Sequence, residues 1–202
     1  MNTTQARSSQ RLDAPRSSSD LALRTHPLIF GVVLFLAQDL MLFGGFIAAY
    51  FNFRSIDAAW PPPGVRLDEV AGAIGTGLLA LSSVSMLFAT HYLAKNSFLT
   101  ARLWLGTTIV LGTAFVLLSV HGWMIDTFTI ASNAYGSIYY IMTGFHVLHV
   151  TIGVILMIVL FVAMRSSAFE RDRRAGAEAI GYYWHFVFAV WLLIWGSIYV
   201  IR

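Results

Sequence analysis

The chain has 202 residues, of which 57% are hydrophobic and only 11% are charged. A soluble domain carries about 25% charged residues, so this composition excludes a body of this size kept in water by its surface, and it excludes intrinsic disorder as well. The absence of cysteine excludes disulfides, thiolate metal sites and cysteine nucleophiles, and the excess of 13 Lys and Arg over 10 Asp and Glu reads as membrane topology rather than nucleic-acid binding.

The first stretch, residues 1–23, is rich in Ser, Arg and Gln and nearly free of apolar side chains. It cannot bury enough surface to order itself, so a disordered cytoplasmic tail is expected there. The apolar run that follows is longer than the roughly 7–15 residues of a signal-peptide core, and no cleavage is expected. From residue 24 to 202 the chain reads as one membrane domain. Its apolar segments run from about Pro27 to Phe53, Val70 to Ala94, Leu103 to Ile125, Tyr135 to Met164 and Ala179 to Ile201. Each is near or above the roughly 20 residues that cross a bilayer as a helix. None alternates as barrel strands do, and in lipid the backbone must be satisfied internally. The fold class is therefore all-α integral membrane, with five transmembrane helices.

Between the first two segments, WPPPG at Trp60 to Gly64 forbids helix and favours extended backbone. Trp60 beside it fits an interfacial anchor. Between the last two, SSAFERDRRAGAE is the most charged stretch and reads as a cytoplasmic loop. With the N-terminus inside, the inner face collects Arg7, Arg11, Arg16, Arg24, Lys95, Arg102, Arg165, Arg171, Arg173 and Arg174. The outer face holds only Arg54, Arg66 and Arg202. This asymmetry puts the N-terminus in the cytoplasm and, after five spans, the C-terminus outside.

Asp39 is the one carboxylate well inside an apolar span. An acid at that depth costs about 3 kcal/mol on insertion scales, so it faces a bundle interior, as a proton site or as an uncharged packing group. Phe43, Phe46 and Tyr50 share its stripe, and no second titratable residue does. On the fourth segment His146 and His149 form one stripe with Met142 and Gly153. A transmembrane di-haem site needs facing histidines in two layers, and a di-metal carboxylate site needs Glu-x-x-His repeats. The chain has neither, since the third segment offers only His121 and the fifth only His185. No metal or other cofactor is expected, and hydrogen bonding between helices or to lipid is the reading for His146, His149 and His185. Thr76, Ser82, Ser83 and Ser85 give the second segment a small polar face. Gly136, Gly144 and Gly153 allow close approach on the fourth, and Trp184, Phe188, Trp191 and Trp195 form an aromatic stripe on the fifth. No nucleophile–base arrangement, phosphate loop or zinc motif is present.

Five strings, in order, resemble subunit III of the haem-copper terminal oxidases, the family of cytochrome c and quinol oxidases. They are YGSIYYIMTGFHVLHVTIG from Tyr135, YYWHFVFAVWLLIW from Tyr182, WPPPG from Trp60, FLAQDLMLFGGFIAAYF from Phe35 and GTGLLALSSVSMLFA from Gly75. Together they cover about Phe30 to Arg202. The resemblance implies the short five-helix bacterial form, which lacks the first two of seven helices. Against the family pattern, Asp39 stands for the usual Glu, Phe188 for an Asp, and Val147 for a Gly.

The resemblance implies an accessory subunit with no active site or cofactor of its own, haem and copper being held by partner subunits. It implies binding to oxidase subunits I and II, phospholipid held in a cleft between helix groups, support of proton uptake, and a place in the bacterial inner membrane. Asp39 is then the candidate proton or packing site. Trp60, His146, His149, Trp184 and His185 are candidate lipid or interhelix contacts. Two alternatives stand beside this reading. One is a subunit III relative associated with nitric oxide reductase; the other is a small proton-coupled transporter using Asp39, which the lack of an inverted repeat disfavours.

Overall fold

The computed structural model describes residues 27–57, 59–65, 67–164 and 171–201; the tail expected over 1–23 lies outside them. The described residues form five long helices: α1 (Pro27–Ile56), α2 (Glu69–Ala94), α3 (Phe98–Ile125), α4 (Ala134–Ala163) and α5 (Arg171–Trp195), the last running into a π-helical turn, Gly196–Val200. All five are long and apolar enough to cross a membrane.

Local chemistry sets the ends. Asp68 caps α2 by accepting from the Ala71 amide at 3.0 Å, and Asn133 caps α4 by accepting from the Gly136 amide at 2.7 Å. Asn96 takes a left-handed conformation, φ 62°, just past α2. That closes the short link to α3, so the two helices fold back as an antiparallel hairpin. The WPPPG segment is a compact turn rather than the extended run its prolines suggest. Val65 donates to the Pro62 carbonyl at 3.2 Å, with Pro63 second and Gly64 third at φ 97°. Proline then glycine at those two places meets the requirement of a type II turn. Thr127 donates to the Gly64 carbonyl at 3.2 Å, which ties this loop to the one between α3 and α4.

Helix α5 also starts earlier than its apolar run. The charged residues from Arg171 to Glu178, expected in a loop, form its first two turns. Helix needs no apolar surface where it stands outside the bilayer, so a hydropathy boundary is not a helix boundary.

The packing order follows from which faces are apolar on both sides. Helix α2 packs on α3 and α5, α3 on α4, and α1 only on α4 and α5 to any extent. The centre of the bundle is α4, whose Met142, His146, Val150 and Met157 are fully buried. Trp184 of α5 keys α2, α3 and α4 together. Its ring lies so close to Gly112 of α3 and Gly153 of α4 that an added Cβ would sit 2.7 and 2.9 Å from ring atoms. Its Nε1 donates to Ser82 of α2 at 3.1 Å. About two turns further on, Trp191 Nε1 donates to Thr76 at 2.9 Å. The small polar face of α2 thus receives the indoles of α5. Gly144 differs from Gly153: nothing lies within 4 Å of a Cβ placed there, so it makes no close helix approach.

Candidate functional site

Helix α1 turns most of its surface outward, with Phe30, Val33, Leu34, Leu40 and Met41 exposed. Its inner strip is narrow and carries Asp39, Phe43 and Tyr50, all buried. The spacing 39, 43, 50 keeps these on one face, and that face meets α4 and α5. The acid is therefore hidden from lipid on an otherwise lipid-facing helix.

Its partner is His149 of α4, whose Nε2 lies 3.3 Å from Asp39 Oδ2. The two atoms pair electrostatically without the alignment of a hydrogen bond. The other ring nitrogen, Nδ1, lies 2.7 Å from the Phe145 carbonyl. A carbonyl only accepts, so Nδ1 carries the hydrogen. The neutral ring then presents a bare lone pair at Nε2. One proton between Nε2 and Oδ2 removes the repulsion between lone pairs and leaves the couple with no net charge, as carboxylic acid with imidazole or as carboxylate with imidazolium. Either form suits a low-dielectric interior better than a lone carboxylate. Tyr183 of α5 completes the junction by donating to the His149 carbonyl at 2.9 Å. Phe43 lies edge-on to the His149 ring at 5.3 Å.

The other sequence candidates fall in four places. His146, fully buried, stacks on Trp191 at 5.0 Å and meets the edges of Phe115 and Phe43 at 5.8 and 6.3 Å. Among the described residues neither of its ring nitrogens has a hydrogen-bond partner. His185 is half-buried at the α2–α5 seam, its Nδ1 2.7 Å from the Ser83 hydroxyl. Trp184 fills the slot described above. Trp60 lies away from all of these, between Tyr50 and Tyr135 with ring centroids 5.3 and 5.0 Å away. The structure therefore brings together Asp39 and His149, sets His146 beside them across Phe43, and leaves Trp60 and His185 apart.

Sequence reasoning did not reach the Asp39–His149 pairing or Tyr183. The missing titratable partner sought on α1's own stripe comes from another helix, and no spacing within one helix reports it. Towards the N-terminal end of α1 from Asp39, an apolar groove of about 230 Å³ runs between α1, α4 and α5, with Phe35, Ile152 and Tyr183 in its wall. Among the described residues no three His, Asp or Glu side chains converge as metal ligands.

Outside the spans, Asp126 follows directly on α3. Burial pushes its carboxyl above the usual carboxylate range, hydrogen bonds from Tyr140 and Tyr139 pull it back, and the Asp68 charge adds to the rise.

Comparison with known proteins places this geometry. The family model described as cytochrome c oxidase subunit III matches residues 19–201. The cytochrome c oxidase subunit 3 of Hippopotamus amphibius is 36% identical over 179 residues, covering 85% of this chain and 69% of the relative. Those of Anopheles gambiae and Drosophila melanogaster are 33% and 31% identical over 198 residues, each covering 93% of this chain and 76% of the relative.

Proposed function

The chain belongs to the cytochrome c oxidase subunit III family, and from that premise we propose that it is the accessory membrane subunit of an oxidase reducing O2 to water, bound to subunits I and II. In this reading the chain performs no redox step. It braces the catalytic subunit, holds phospholipid and supports proton uptake. The bilayer is the bacterial inner membrane, with the N-terminus cytoplasmic, as the distribution of Lys and Arg favours. The relatives' shared name supports an oxidase over a nitric oxide reductase or a free-standing transporter.

The observation that carries the reading is the Asp39–His149 couple on the inner strip of α1. It sets an acid and an imidazole 3.3 Å apart inside a membrane, next to a groove with an apolar lining and room for part of an acyl chain. A buried acid–imidazole pair and a lipid seat side by side are what an accessory subunit of a proton-moving enzyme can supply without a cofactor. The exposed aliphatic and Phe side chains of α1 lose nothing to lipid tails, so that face can stay against the bilayer.

The test is to purify the oxidase from cells with and without this chain and follow O2 consumption over many turnovers. The proposal expects similar initial rates and a faster loss of activity without the chain. Equal lifetimes of the two enzymes would refute it.

A further inference from the structure

A second feature lies against Phe115 and Trp191, two of the rings that touch His146. A cavity of about 60 Å³ opens beside Asp68 and Asp126, where α2 begins and α3 ends, and runs inward between α2, α3, α4 and α5. Far from that mouth its walls are Phe115 of α3, Val147 of α4 and Trp191 of α5. Asp126 and Phe115 are eleven residues apart on α3, so the cavity reaches roughly 16 Å into the bundle at about 1.5 Å per residue. Polar groups mark its length: Asp126 near the mouth, then Tyr139 and Ser119, then Thr143. Ser119 and Thr143 donate their hydroxyl hydrogens to carbonyls within their own helices, at 2.9 and 2.7 Å. Each hydroxyl oxygen therefore keeps lone pairs that accept from water. A volume of this size with several polar walls admits a few water molecules.

Behind the two terminal rings stands His146. Phe115 and Trp191 meet edge to face at 4.8 Å, and both also touch the imidazole. The imidazole is fully buried, and both its nitrogens lack partners among the described residues. A buried polar group with no partner is costly, and native structures retain few of them without a reason. Here a polar cavity ends against the rings that screen one.

We propose that this cavity is a water-access half-channel from the face bearing Asp68 and Asp126, with His146 as its inner terminus behind a Phe115–Trp191 gate. Water reaching His146 would give its nitrogens the hydrogen bonds that the protein withholds. Phe43 then separates two polar compartments: the Asp39–His149 couple on one side, and the hydrated His146 on the other. This goes beyond the accessory role proposed above and does not depend on which catalytic subunit the chain binds.

The chain has no cysteine, so one introduced thiol is its only thiol. The experiment uses the intact oxidase complex in sealed vesicles. Silver ion, water-sized and excluded from apolar lipid, is added from one side, and surviving thiols of this chain are then counted by maleimide labelling and mass spectrometry. Thr127→Cys and Lys95→Cys report the two faces of the membrane. The proposal expects Thr143→Cys and Ser119→Cys to lose their thiol from the side that attacks Thr127→Cys and from that side only. His146→Cys is expected to lose its thiol from the same side, more slowly. Nothing lies within 4 Å of a Cβ at Gly122 in the cavity wall, so Gly122→Leu should fold and should protect Thr143→Cys. Protection of both Thr143→Cys and Ser119→Cys from either side would overturn the channel, as would attack from the Lys95 side. Attack at Thr143→Cys with none at His146→Cys would overturn His146 as its terminus. The Ser119→Cys reading stands even where the deeper variants fail to assemble.

Discussion

Replacing Asp39 by Leu removes the acid from the α1–α4 junction and leaves His149 Nε2 facing an apolar wall. The cost depends on which form the couple takes. A neutral imidazole stranded without its partner loses about 1–3 kcal/mol. Breaking a buried ion pair leaves an uncompensated charge and costs about 3–5 kcal/mol. His149→Leu strands Asp39 in the same way. The double variant Asp39→Leu/His149→Leu strands neither group, and replacing a buried pair with apolar side chains is often neutral. The three variants therefore form a cycle whose coupling should exceed about 1 kcal/mol, well above the roughly 0.3–0.5 kcal/mol scatter of independent sites. The assay is the fraction of this chain retained in the purified complex across an SDS titration. Both single variants should dissociate early, and the double variant should return towards the native midpoint. Losses that simply add would refute the pairing. Asp39→Asn separates packing from proton chemistry, because it can hydrogen-bond but not titrate. It should assemble normally with little change in turnover if packing is the residue's role, and should inactivate faster if the couple supplies protons.

Further outcomes follow from the fold. Gly153→Val should push the Trp184 ring out of its slot and cost about 1–3 kcal/mol, as overpacking does, whereas Gly144→Val should be nearly silent in the same titration, since its side chain enters open space. Because burial raises the Asp126 carboxyl above 3.8, the folded chain holds that proton more tightly than the unfolded one, and stability falls as pH rises from 3.8 through the native value. Asp126→Asn should therefore raise the melting temperature more near neutral pH than near about pH 4; an equal gain at both would contradict the assignment. Reporter fusions at the two ends should lie on opposite sides of the membrane, the N-terminal one in the cytoplasm.

The five spans were legible because a bilayer leaves the backbone one economical solution, and a run such as Tyr135 to Met164 advertises it. The ends were less so. Arg171 to Glu178 is helical although charged, and Pro62 to Val65 folds into a turn because glycine follows two prolines. Asp39 stood out by chemistry alone, as an acid in an apolar run. Its pairing with His149 was hidden, because a helix reports which residues share its own face and nothing about which face of another helix it meets. Trp184 shows the same limit. The serines of α2 and the indoles of α5 were each visible as stripes, but only packing joins Trp184 to Ser82 across 102 positions. The water-access cavity was the least visible feature, since Ser119, Tyr139 and Thr143 lie on two helices, Asp126 just past one of them, and they share no motif.

The central claim is that this chain works as part of an oxidase, and an affinity tag on it tests that most directly. Solubilised in mild detergent and purified through the tag, the chain should bring with it a partner showing reduced-minus-oxidised haem bands and consuming O2. Recovery of the chain alone as a homo-oligomer without haem, from cells that respire, would contradict the account.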